Sequence, residues 1–419
     1  MHDAVEQNNL SEVKELVRNG ADINVRDING RKPIHCAAQL GHNDIIEFFL
    51  SKKVSIDDTS NGDWTPLHYA ARFGQLGTVK FLIGKGANIN FKDRMDGKKP
   101  IHAAIMGGHK NVVEFFLSKG VSVNDADANG RTALHYAASE NKLEVARFLI
   151  DKEANIHAKA KGTYDQKPIH LAAYGRHENI VELFLNKGVS IDDTDANGLT
   201  PLHYAVRFDH LELTKFLINK GANIHAKILV DGRKPIHLAA REGYKNANAA
   251  NIVKCLLNRG VSVNDTDTNG LTPLHYAAKY ANLKAVKLLI DEGANIHAKT
   301  VGGQKPIHLA ARGGGGETPN TIELFLNKGV GINDIDANGL TPLHYTASVD
   351  GYFKERTAKF LIDKGADIHV KDNNGKTPLD LARETGHMGV ANILSSTKVT
   401  DVSLCQHSAS SKFLSRFPR

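Results

Sequence analysis

Cysteine is scarce: Cys36, Cys255 and Cys405 are the only three in 419 residues. They are too few and too scattered for a disulfide framework or a zinc site. The first two fall among apolar helix positions, where a thiol serves as a small core residue. This usage fits a reducing, cytoplasmic setting. Aromatic residues make up only 6% of the chain and are not gathered into a basic strip, which argues against nucleic-acid binding. No run of about 18 apolar residues is present, so no membrane-spanning helix is expected. The opening stretch from Met1 to Leu10 lacks the apolar segment of a secretory signal. Charge of neither sign dominates, with 53 basic against 46 acidic residues and a net +7. Catalytic signatures are missing as well: there is no Gly-x-Ser-x-Gly and no His-Glu-x-x-His, and Gly375-Lys376-Thr377 has Val370 where a phosphate loop needs its leading glycine. No catalytic, cofactor or metal residue is assigned, and no small-molecule substrate is expected.

Proline is also uncommon, yet ten of its twelve occurrences fall at one place in a recurring motif. The tetrapeptide Thr-Pro-Leu-His, or a close variant, ends at His35, His68, His102, His135, His170, His203, His237, His275, His308, His344 and Asp380. Its spacing stays between 33 and 38 residues. The unit from Asn197 to Lys227 shows why such a segment folds as two helices. Thr200 can cap a first helix and Pro201 suits its first turn, where a missing amide costs nothing. Leu211, Leu213, Phe216, Leu217 and Ile218 supply a second apolar face, and Gly221 can end that helix with a positive φ. An extended stretch then leads to Asn-Gly, a tight-turn signal, so a projecting β-hairpin finger is expected. A unit this small cannot bury its apolar face alone, so neighbours must stack.

Motif and period together resemble the ankyrin repeat family over about 390 residues of the sequence. The resemblance implies an all-α solenoid of paired antiparallel helices with β-hairpin fingers. It places the array at residues 1–394, with an N-terminal cap at 2–30, ten full repeats at 31–375 and a C-terminal cap at 376–394. Residues 395–419 read as a disordered, serine-rich basic tail. Such arrays are non-catalytic scaffolds for protein partners, here expected to act as a monomer through finger tips and the concave inner-helix surface. The near-identical copies also resemble the arrays of host-directed effectors of intracellular bacteria and the repeat region of spider latrotoxins. That gives an alternative reading as a secreted effector or toxin component delivered into a host cell.

A second period lies inside the first. Five repeats carry Lys-Pro-Ile-His, from Lys32, Lys99, Lys167, Lys234 and Lys305, and alternate with five that carry threonine there. A lysine at the helix cap loses the threonine oxygen and sets a cation at the positive end of the helix dipole, a cost of roughly 1 kcal/mol. The fingers alternate too. Those before threonine repeats are acidic and include Asp127, Asp195 and Asp267, whereas those before lysine repeats carry Lys159, Lys227 and Lys299 beside histidine. Neighbouring fingers of opposite sign would attract across the stack and fix its register. The same charges are candidate partner contacts. By resemblance, Asn24, Asn90, Asn124, Asn264 and Asn333 match the finger position that an asparaginyl hydroxylase can modify. The motif histidines, one per repeat, stand too far apart to share an ion and are expected to bond between turns. Three turns between helices are lengthened, at Gly243 to Asn251, Gly313 to Asn320 and Val349 to Glu355. The four glycines from Gly313 to Gly316 are expected to have no packing role.

Overall fold

The computed structural model describes residues 1–241, 248–349 and 351–397. Within them the chain forms twenty-four short α-helices in antiparallel pairs, from His2–Glu6 to Met388–Ser396. The last helix therefore extends into the expected tail by two residues, and the tail from 398 onward lies outside the described residues. The chain divides into two compact units, residues 1–239 with 254–261, and residues 240–253 with 262 onward.

The local signals act as their chemistry demands. Thr200 is extended (φ −89°, ψ 168°) and its hydroxyl accepts the His203 amide at 3.4 Å, so the helix Pro201–Arg207 starts where proline is harmless. The partner helix Leu211–Asn219 ends before Gly221, at φ +91°. At nine residues or fewer, such helices are marginal in water. They persist because Leu202, Ala205, Leu213 and Leu217 are buried against neighbouring helices.

The two-repeat period reaches into this core. At one position of the second helix, four lysine repeats place the fully buried Phe49, Phe116, Phe184 and Phe325, while the fifth places Leu256. Threonine repeats place Leu82, Leu149, Leu217, Leu289 and Leu361 there, equally buried. Threonine repeats instead carry the larger residue on the first helix, a tyrosine after the histidine, as at Tyr136, Tyr204 and Tyr345.

Two expectations need correction. The fingers are turns, not paired strands: among the described residues only isolated bridges appear, Ala126 with Thr132 and Ala160 with Gln166. The reason lies in the aspartate that starts most of the turns. Asp195 accepts the Asn197 amide at 2.8 Å and the Leu199 amide at 2.9 Å on one carboxylate oxygen, taking donors that a hairpin ladder would use. The glycine run does pack. A Cβ on Gly313 would collide with the Lys279 carbonyl oxygen, and one on Gly315 would lie 2.7 Å from the Ala281 methyl. The extended turns at Gly243 to Asn251 and Val349 to Glu355 lie partly outside the described residues. No helix among the described residues is long and apolar enough to cross a membrane.

Candidate docking surface

Each motif histidine is completely buried, and eight of them, His35, His68, His102, His135, His170, His275, His308 and His344, bond through Nε2 to a carbonyl of the next repeat. In a lysine repeat, His35 Nδ1 accepts the Lys32 amide at 3.0 Å, while its Nε2 reaches the Asp58 carbonyl oxygen of the next finger at 2.9 Å. Threonine repeats repeat the geometry: His135 Nδ1 takes the Thr132 amide at 3.1 Å and Nε2 reaches the Gln166 carbonyl at 3.0 Å. The neutral ring is required, since one nitrogen accepts and the other donates. Burial pushes His35, His68, His135, His203 and His275 down to about 4.

The capping lysines turn away from their own helix. Lysine has no acceptor, so the histidine ring supplies the only side-chain half of the cap. The Lys32 ammonium lies 2.7 Å from Asp58, Lys99 2.8 Å from Asp125 and Lys305 2.7 Å from Asp334, and Lys167 pairs with Asp193. Each pair links a lysine to the acidic finger that follows, and these lysine side chains are only 13–16% exposed. Lys234 is half-buried at the same motif position. The carboxylate thus offsets the cost of a cation at the helix start.

Asp127, Asp195 and Asp267 do not stand out as finger contacts. They are 6–7% exposed, and besides holding their turns they accept the hydroxyls of Tyr136, Tyr204 and Tyr276 at 2.6–2.7 Å. Tyr204 also accepts from Gln166 Nε2 at 2.7 Å, as Tyr345 does from Gln304 at 2.6 Å. By contrast Lys159, Lys227 and Lys299 are exposed, as are His157, His225 and His297. Lys159 comes within 3.6 Å of Asp165 in its own finger.

The five finger asparagines fall into two settings. Asn124, Asn264 and Asn333 accept the backbone amides of Asn155, Asn295 and Asp367 in the next finger at 2.8–2.9 Å. Asn24 and Asn90 instead lie 3.4 and 3.3 Å from the ammonium groups of Lys32 and Lys99.

A second ladder escaped the sequence reading. At the start of the second helix, Gln75, His109, His177, His210, Asn282 and His387 each bond a carbonyl at the end of the previous repeat's first helix, at 2.8–3.3 Å. Lys354 is the extreme case: the residue is 3% exposed and its ammonium donates to the Ala311, Arg312 and Gly313 carbonyls at 2.6–2.9 Å. Burial brings it down to about 8. The available signal was a recurring histidine or amide one residue before the second helix.

Among the described residues, His2, Asp27 and Cys36 bring one ligand atom each within 4.8 Å of one another. The donor set does not fit a divalent ion, because the Arg31 guanidinium lies 2.7 Å from the Asp27 carboxylate and burial pushes the Cys36 thiol up to about 11. A metal there would face a fixed cation.

Residues 1–93, 77–160, 157–228, 225–300 and 307–403 match the family model described as ankyrin repeats in three copies. The chain belongs to the ankyrin-repeat family. It is 32% identical to inversin of Mus musculus over 166 residues, which is 38% of this chain and 15% of inversin. It is 28% identical to putative ankyrin repeat protein FPV223 of fowlpox virus over 142 residues, 34% of this chain and 92% of that protein. It is also 30% identical to alpha-latrotoxin-Lhe1a of Latrodectus hesperus over 149 residues, 34% of this chain and 10% of the toxin. The solved human ASB11 ankyrin repeat domain aligns at TM-score 0.47 and 25% identity, covering 55% of this chain and 99% of that one. The chain thus spans only a small part of the length of inversin. A putative palmitoyltransferase of Danio rerio, 32% identical, is matched over 24% of its length. An ankyrin array is a protein-interaction scaffold and generally non-catalytic.

Proposed function

We propose that each of the two units within residues 1–394 holds an acidic segment of a protein partner along its finger edges and the adjoining first-helix surface, with the array working as a cytoplasmic monomer. The observation that carries this reading is an imbalance of free charge. The finger carboxylates at Asp58, Asp125, Asp193 and Asp334 are tied to motif lysines, and those at Asp127, Asp195 and Asp267 to tyrosines. Lys227 in the first unit and Lys299 at the corresponding place in the second face solvent, as does Lys159, whose ammonium lies 3.6 Å from Asp165. The motif lysines Lys32, Lys99, Lys167, Lys234 and Lys305 then serve the partner indirectly, by fixing finger geometry. Proximity labelling in the natural cell would identify partners. Reversing Lys159, Lys227 and Lys299 to glutamate should then reduce their recovery at least tenfold, since interface charge pairs are worth about 1.5 kcal/mol or more. Recovery unchanged by the reversal would overturn the reading.

The effector alternative draws on the latrotoxin likeness, which reaches only 10% of that toxin. Detection of the chain outside its own cell would favour it. Modification of Asn24, Asn90, Asn124, Asn264 or Asn333 is a further proposal on the family likeness. An added oxygen on a finger peptide by mass spectrometry would support it.

A further inference from the structure

Isolated exposed apolar residues are ordinary on protein surfaces. Here they follow a rule. In the first unit, every finger that leads into a lysine repeat carries a large apolar residue at its tip: Ile28 (101% exposed), Met95 (80%), Tyr164 (68%) and Val230 (78%). The intervening fingers place the small or polar Asn61, Ala128 and Ala196 at the corresponding position. Val301, 81% exposed, occupies the same place in the second unit.

The tips share apolarity and little else. Isoleucine, methionine, tyrosine and valine differ in branching, length and shape, so a set of moulded protein pockets would not accept them interchangeably. A fluid apolar phase would. Basic side chains stand exposed in the same fingers, at Arg26, Lys92, Lys161 and Lys227. The acids beside them are held within their own fingers: Asp27 by Arg31, Asp96 by Lys98 and Asp231 by Arg233. Successive apolar tips are two repeats apart, about 16 to 20 Å at the usual spacing of packed helices, too far to form one pocket. Tyr164 adds a backbone feature. It and Asp165 both have positive φ, +57° and +55°, where most other fingers use glycine, so this finger accepts strain while it presents an aromatic ring.

We propose that the tips of these alternate fingers form a peripheral docking surface for an anionic lipid bilayer, the apolar tips entering the headgroup boundary and the neighbouring cations meeting lipid phosphates. This goes beyond the protein-docking reading, because it concerns the apolar tips and leaves Lys159, Lys227 and Lys299 in place. The full chain would be sedimented with phosphatidylcholine vesicles with and without phosphatidylserine at low salt. Binding is expected only with phosphatidylserine, and should weaken as salt screens the charges. A variant carrying Ile28→Asn, Met95→Asn, Tyr164→Asn and Val230→Asn should partition at least a hundredfold more weakly, from on the order of tenfold per tip. Its melting should be unchanged, because the replaced side chains are exposed. A second variant, Lys92→Gln with Lys161→Gln, should lose the preference for phosphatidylserine. Failure of the chain to sediment with anionic vesicles, or equal sedimentation of the tip variant, overturns the proposal. So does a tip variant that keeps vesicle binding and loses a labelled protein partner, which would assign the tips to a protein surface.

Discussion

Acid should dismantle this array at a pH where ordinary carboxylates remain ionised. Five motif histidines with side chains at 0% exposure sit at about 4 against an ordinary 6.5. Because the folded value is the lower one, the unfolded chain binds more protons between the two, so stability is complete above 6.5 and declines as pH falls toward 4. At about pH 5, each ring is almost fully protonated when unfolded and about one tenth protonated when folded, a loss of about 2 kcal/mol per histidine relative to about pH 8. Five such losses approach 10 kcal/mol, comparable with the whole stability of a typical domain at about 5 to 15 kcal/mol. Urea unfolding followed by circular dichroism across this range should show the midpoint falling steeply below pH 6.5. A repeat array need not unfold in one step, so the midpoint at each helix probe is the quantity to compare. Carboxylates, titrating near 4, cannot produce a decline that begins near 6.5. Constant stability from about pH 8 to about pH 5 would refute the claim that these rings are held neutral.

Two substitutions test individual contacts by the same assay. Gly313→Ala should destabilise by about 1 to 3 kcal/mol through collision with the Lys279 carbonyl, whereas Gly314→Ala, with nothing within 4 Å of its Cβ, should be nearly neutral. Tyr204→Phe removes the 2.7 Å bond to Asp195 and should cost about 1 to 3 kcal/mol by leaving a buried carboxylate oxygen short of a donor, a loss read from the shift in urea midpoint.

The fold was open to sequence reading because the signals that make it are local. Thr200, Pro201 and Gly221 act within a few residues of themselves, and stacking repeats the same message in each unit. What was hidden depends on partners about one repeat away. The alternation of Lys167 with acidic fingers was visible, but the sequence could not say that its ammonium meets Asp193, 26 residues on. Asp195 looked like free finger charge because its acceptors serve amides two and four residues later and a tyrosine nine residues later, a spacing shared with ordinary turns. Gly313 looked idle since the atom it makes room for belongs to Lys279 in the preceding repeat. The apolar tips were present in the sequence, but their exposure became evident only once the fingers proved to be turns that bury the aspartate and turn the next side chains outward.

These contacts also explain why the array alternates. A lysine cap is tolerable only where the next finger supplies a carboxylate, as Asp125 does for Lys99. A threonine repeat supplies its own cap oxygen and is followed by a finger whose exposed charge is basic. The core imposes the same order, with phenylalanine at Phe116 followed by leucine at Leu149 and the larger first-helix residue shifted to Tyr136. Insertion of a single lysine repeat beside another would set a capping ammonium against a basic finger and place two phenylalanines at successive core positions. Insertion of a lysine–threonine pair preserves the caps and ion pairs, and keeps phenylalanine next to leucine wherever the lysine repeat carries phenylalanine. The pair is therefore the smallest segment by which this array can lengthen without loss at a junction, and the copying visible in its sequence is the consequence of that constraint.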